Sequence, residues 1–293
     1  MFTEEQLAVL GSIRSEDILR RKFAKILYFL DKTLGDMFER FDQLGLLNNT
    51  LVVVASDNGG CSSSGGSNIP YRGFKWTLFE GGVRVPALVW SKSESIIPVE
   101  ARGTIYRGMM HALDWTLTLA NITGIQTEGM GKPLSGFDHW KAIIGQRPKS
   151  DPPVRGDLVL GRSAYEYDSE SDSMILLDHP RGAYIHDGWK ILHGERFVGW
   201  FSFNPEDDTP YCPNCETTLC NYYPYLNNTL LFHLETDPLE TMDLSNALPD
   251  KVTDMLERWN VACADEVVPN YRSRDKDAFE VWKDFNDWIV AWE

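Results

Sequence analysis

The sequence predicts an α/β layer followed by a small antiparallel sheet covered by a helix. Three features predict it. A 3.6-residue apolar stripe over residues 15–41 leads into a short β-branched run, residues 51–55, that shows no alternation and stops abruptly at Ser56-Asp57-Asn58-Gly59-Gly60. That is the pattern of a helix feeding a strand covered on both faces of a parallel sheet. After residues 145–153, where Gly145, Gln146, Pro148, Asp151 and Pro152 break the periodicity, the chain changes to short strands separated by turns. With 293 residues, two units are expected, 1–150 and 151–293.

In the first helix Leu19, Phe23, Ile26, Leu27, Leu30, Leu34, Met37, Phe38 and Phe41 share a face, with Ser15 placed as N-cap and Glu16 and Asp17 in the positive first turn. This face is expected to pack on the sheet. Gly45 and Asn48-Asn49 turn the chain into the strand, and Asp57 and Asn58 then stand at its carboxyl end, the edge where open α/β sheets bind ligands. A second apolar run, residues 83–90, follows a loop that carries Arg72 and Lys75, so two cations are expected back at that edge. Oxygen ligands beside cations suit a metal ion and an anionic substrate. Residues 61–70 are rich in Gly and Ser and form a loop over the site; they lack the Gly-Lys-[Ser/Thr] ending of a phosphate-binding loop. Residues 104–122 predict another helix, with Ile105, Met109, Leu113, Leu117 and Ala120 on one face and His111 and Asp114 as a polar pair near its middle.

In the second half, residues 157–161, 174–177, 183–186, 189–193 and 230–234 read as strands of an antiparallel meander. Asp187-Gly188 is a two-residue hairpin signal. Asp237-Pro238 shapes a turn after the last strand, and Pro249 opens a helix whose Val252, Met255, Leu256 and Trp259 can cover the sheet.

A formal charge of −15 disfavours nucleic acid and anionic membranes as partners, so an anionic substrate needs a locally cationic pocket. No apolar run reaches membrane-spanning length, and residues 1–15 lack the apolar core of a secretory signal. Yet Asn48, Asn121 and Asn227 lie in N-x-[ST] sequons, and Cys212, Cys215 and Cys220 cluster, features of a secretory life. Cys212-x2-Cys215 is half of a zinc knuckle; the other half has no usual spacing, and disulfides among Cys212, Cys215, Cys220 and Cys263 are the alternative in an oxidising compartment. Five cysteines leave one over, and Cys61 in the site loop is the candidate.

Ser56-Asp57-Asn58-Gly59-Gly60 followed by Arg72-Gly73-Phe74-Lys75-Trp76-Thr77-Leu78-Phe79-Glu80-Gly81-Gly82-Val83-Arg84 resembles a signature block of the sulfatases, most like arylsulfatase B and its relatives. Asp114-Trp115 with Thr116 and Leu117, Gly136-Phe137-Asp138, and residues 231–240 resemble further elements of that family, with His233 where an Asp is usual. The resemblance implies an alkaline-phosphatase-like fold, calcium held by Asp57 and Asn58, a substrate sulfate held by Lys75, and a lysosomal or secreted location. The expected partners are a sulfate ester or a sulfated glycan.

The family's chemistry uses a formylglycine made from a cysteine in Cys-x-Pro-Ser-Arg, and that motif is absent from this sequence, as is the first-strand Asp-Asp pair that completes the calcium shell, since Asp207-Asp208 lies in a Pro-flanked loop. The resemblance therefore covers the carboxyl-terminal half to three-fifths of a family member. Three functions follow as expectations: a sulfuric ester hydrolase that does not turn over as this chain, a non-catalytic paralogue that binds sulfated glycans, and a related phosphate-ester hydrolase.

Overall fold

The computed structural model describes residues 18–127, 136–168, 173–195 and 228–265, together with residues 4, 8, 11, 202–203 and 210–211. A long helix, α1 (Ile18–Gln43), passes through a 3-10 turn at Leu46–Asn49 into strand β1 (Val52–Ala55). Gly45 makes the reversal at φ 72, a conformation that costs a residue without Cβ little. A long excursion then leads through the one-turn helix α2 (Glu80–Val83) to β2 (Ala87–Trp90).

β1 and β2 pair antiparallel as a two-stranded sheet, with Val52 opposite Trp90 and Ala55 opposite Ala87. This corrects the expectation of a parallel strand covered on both faces. Ser56 N donates to Pro86 O at 3.2 Å, so residues 56–86 close as one hairpin-like loop and return the chain in the opposite direction. Among the described residues neither strand is covered: Val54, Leu88 and Trp90 are exposed. An apolar run without alternation reports that both faces are apolar, not that neighbours are present to cover them. Likewise α1 buries none of its residues; it touches the sheet at Phe38, whose ring meets Trp90 edge-on at 5.2 Å, while Leu19, Ile26, Leu27 and Leu30 stay exposed.

The predicted helix over 104–122 forms only in its second half, α3 (Asp114–Thr123). The upstream apolar positions Ile105 and Leu113 are exposed. The Asp114 carboxylate ties down the segment before the helix: Oδ2 accepts from His111 N at 2.8 Å, a side-chain-to-backbone bond that holds residues 111–114 in a turn ahead of α3. Its Oδ1 accepts from Phe137 N, just before the one-turn helix α4 (Trp140–Ile143), and Arg155 adds two further bonds from the start of the next strand.

That strand, β3 (Asp157–Asp168), opens the meander expected from the sequence. It pairs with β4 (Ser173–His186), then β5 (Trp189–His193); after the short pair β6 (Ser202–Phe203) and β7 (Pro210–Tyr211), β8 (Thr229–His233) completes a sheet ordered β3-β4-β5-β8, antiparallel throughout. Residues 174–177 and 183–186, expected as two strands, lie in the single strand β4. Asp187 and Gly188 both adopt positive φ, 46 and 76, between His186 and Trp189, as the hairpin signal predicted.

Alternation along β5 and β8 gives the sheet two buried faces. On one, Tyr184, Ile191 and Leu231 pack under Met255 and Trp259 of α5 (Pro249–Ala262). On the other, Ala183, Leu192, Leu230 and Phe232 pack against Phe74 and Phe79 from the 56–86 loop. The loop that follows β1 is thus built into the core of the meander.

Candidate functional site

The carboxyl end of β1 is held by backbone bonds rather than by side-chain chemistry. Gly59 N donates to Gly82 O at 2.9 Å and Lys75 N to Gly60 O at 3.1 Å, so the Asp57-Asn58 turn, Lys75 and the Glu80-Gly81-Gly82 turn are one hydrogen-bonded assembly. Asn68 ties it from the Gly- and Ser-rich loop: its Oδ1 accepts from Gly60 N at 2.6 Å and its Nδ2 donates to Gly60 O at 2.9 Å and Gly73 O at 3.3 Å. Gly59, Gly81 and Gly82 are buried in this contact, and a Cβ on any of them would collide with backbone oxygens. Asp57 remains exposed and Lys75 half-buried, both open to a ligand.

Of the two cations expected at the edge, the structure brings Lys75 there and takes Arg72 inward. Arg72 is 7% exposed; its guanidinium lies 4.2 Å from the Phe79 ring centre, and Nη1 donates to Glu240 O at 3.2 Å. Burial lowers its pKa, and the carboxylates of Glu240, Asp243 and Asp237 oppose that shift. A planar guanidinium between aromatic faces is a packing element, so Arg72 supports the loop from within.

Beneath it lies a buried ion cluster that sequence reasoning missed. Lys190 from β5, fully buried, places Nζ 2.9 Å from Glu80 Oε1 and 2.9 Å from Glu240 Oε1. Glu240 Oε2 accepts from Glu80 N at 2.7 Å, and Glu195 Oε2 accepts from Leu78 N at 2.7 Å. Burial alone would lower the Lys190 pKa, but the two carboxylates outweigh it and raise it. Burial raises that of Glu240, with Lys190 pulling against it. The available signal was a lysine set among apolar residues in Trp189-Lys190-Ile191-Leu192, a buried position that demands a partner.

The resemblance implies calcium, which takes about six to eight oxygen ligands. Here Asp57 and Asn58 offer side-chain oxygens, with Asn58 Nδ2 bonded to Gly59 O at 2.8 Å, and among the described residues no three His, Cys, Asp or Glu gather as a metal site. This donor set does not fit a calcium shell. Asn48 is exposed in the 3-10 turn; Asn121 lies on α3, with Nδ2 bonded to Asp138 Oδ2 at 2.6 Å. Cys263 caps α5 and packs beside Met255 and Trp259, whereas Asn227, Cys212, Cys215 and Cys220 lie outside the described residues.

His111 and Asp114, expected as a polar pair, take part in a structural cluster away from this edge. Asp114 is fully buried; His139 Nε2 lies 3.2 Å from its Oδ2, and Tyr106 Oη lies 2.9 Å from His139 Nδ1. His111 uses Nδ1 to accept from Leu113 N at 3.3 Å. Asp237, expected to shape a turn, accepts from Thr241 N at 3.0 Å and Met242 N at 2.8 Å.

Residues 11–125 match the sulfatase family model. Arylsulfatase J of Mus musculus is 28% identical over 270 residues, covering 88% of this chain and 42% of that protein. N-acetylgalactosamine-6-sulfatase of Rattus norvegicus is 38% identical over 242 residues, covering 77% of this chain and 39% of that protein. Among solved structures, Ps i-CgsB in complex with k-i-k-neocarrahexaose superposes with a TM-score of 0.64 at 23% identity, covering 97% of this chain and 51% of that one. The chain spans about two-fifths of the length of the curated relatives it matches. Its fold is the corresponding part of the alkaline-phosphatase-like sulfatase architecture, a sheet portion followed by an antiparallel sheet with its helix. The match over 11–125, and the relatives that extend it through the meander, make this chain similar to the sulfatase family over most of its length.

Proposed function

We propose that this chain recognises a sulfate ester, with the Lys75 ammonium donating to a sulfate oxygen at the carboxyl end of β1, and that it does not cleave the ester by itself. One observation carries the reading: the assembly of Gly59, Gly60, Asn68 and Gly82 fixes the Lys75 backbone beside the Asp57-Asn58 turn while leaving both charged side chains accessible. A cation fixed against a rigid turn can bind an anionic group without reorganising. Similarity to the sulfatases makes sulfate the favoured anion over phosphate, and sulfuric ester hydrolysis is the family chemistry this reading starts from.

Cleavage is a separate matter. A group that binds ester and transition state equally does not speed the chemical step, and the Cys-x-Pro-Ser-Arg nucleophile motif is absent from the sequence. The second reading, a non-catalytic module that holds sulfated glycans, uses the same Lys75 site. A lysosomal or secreted location belongs to the same proposal; no helix among the described residues is long and apolar enough to cross a membrane. The test is turnover of a chromogenic aryl sulfate across calcium concentrations. No hydrolysis above that of Lys75→Ala is expected; hydrolysis that disappears with Lys75→Ala would mean another residue serves as nucleophile and would overturn the proposal.

A further inference from the structure

Between two buried residues of the 56–86 loop, Phe74 at 1% and Thr77 at 2% exposure, the chain displays Lys75 and Trp76. Thr77 N donates to Phe74 O at 3.0 Å, and Thr77 Oγ1 both accepts from Phe74 N at 3.1 Å and donates to Phe74 O at 2.8 Å. Residues 74–77 are therefore a tight turn anchored at both ends in the core. Trp76 occupies its third position with φ 76, a left-handed conformation that favours Gly or Asn in such a turn. An indole is the costly choice there, and core packing does not account for it, because the side chain stands 53% exposed. Its ring centre lies 5.4 Å from Lys75 Nζ.

We propose that Trp76 is a stacking platform for the sugar ring that carries the sulfate held by Lys75, which makes a sulfated glycan unit the ligand class of this site. The inference rests on the Lys75 reading and extends it to the organic part of the ester. A sulfate oxygen on the Lys75 ammonium brings the adjoining ring within reach of the indole, since cation and indole are neighbours on one turn. The indole face supplies apolar area at low conformational cost for the C–H face of a pyranose, whose hydroxyl edge stays in water. Half-exposure beside a lysine suits a ligand with one apolar face and a wet rim; an aryl group would call for an enclosed apolar slot.

Because a left-handed turn position prefers glycine, Trp76→Gly separates function from folding. Isothermal titration of wild type, Trp76→Gly and Lys75→Ala with inorganic sulfate, galactose 6-sulfate and phenyl sulfate supplies the test. Wild type should bind galactose 6-sulfate about tenfold more tightly than inorganic sulfate, the scale of one aromatic stacking contact. Trp76→Gly should lose that preference, keep its affinity for inorganic sulfate, and show a higher denaturation midpoint, while Lys75→Ala weakens all three ligands. A preference retained in Trp76→Gly, or a lowered midpoint for that variant, would overturn the platform. So would a wild type that binds inorganic sulfate without preferring the sugar, or one whose preference goes to phenyl sulfate. Failure of wild type to bind inorganic sulfate at all would overturn the Lys75 reading, and the platform with it.

Discussion

Lys190 Nζ lies 2.9 Å from Glu80 Oε1, an ion pair formed in the core across 110 residues of chain. Glu240 Oε1 completes it at the same distance, from a residue held at φ 56 after β8. The cluster connects the turn that bonds Gly59 to the centre of the meander, so the site edge is positioned by residues far from it in sequence.

Removing the cation should therefore be severe. Lys190→Met leaves two carboxylates buried side by side, and breaking a buried pair in this way costs about 3–5 kcal/mol. Adding Glu80→Gln and Glu240→Gln should recover part of that loss, because the uncompensated charges disappear. Urea denaturation reads both effects; a Lys190→Met protein within about 1 kcal/mol of wild type would show that the cluster adds little.

Acidification should weaken the fold in two stages. Burial lowers the His139 pKa, with Asp114 and Asp138 opposing and Arg155 adding to the shift. For Asp114 burial pushes upward, but Arg155 and the N–H groups of His111 and Phe137 win and lower it; for Asp237 burial is likewise overcome by bonds from Thr241, Met242 and Leu239. All three folded values lie below the unfolded ones, so the unfolded chain binds protons first as pH falls. Stability is complete above the unfolded values and is lost on descending through the folded ones. The denaturation midpoint should decline from about pH 6.5 as His139 becomes linked and again below about pH 4 as the carboxylates do. His139→Gln should flatten the first stage; a midpoint that rises between pH 7 and 5 would contradict the assignment.

The meander was readable because its signals are local. Asp187-Gly188 sets a hairpin by its own backbone preference, and Val252, Met255 and Trp259 mark a helix face by spacing alone. The direction of β2 was not readable, since it depends on the hydrogen bond of Ser56 to Pro86 after a long loop, and an apolar run reads alike in either direction. The late start of the helix predicted over 104–122 goes with Asp114 meeting Phe137 and Arg155, partners brought by tertiary structure. At the site, Lys75 and Asp57 stood out by family pattern, whereas Asn68, Lys190 and Glu240 act by reaching distant backbone and charge, which no local period records.

Titration of inorganic sulfate at fixed ionic strength measures the proposed anion-holding role of Lys75 directly. Wild type should bind saturably, and Lys75→Ala should bind about tenfold or more weakly, the scale of one charge-assisted hydrogen bond. Its denaturation midpoint should be unchanged, since the Lys75 side chain lies outside the core clusters. Equal sulfate affinity in the two proteins, or no saturable binding in wild type, would contradict that role.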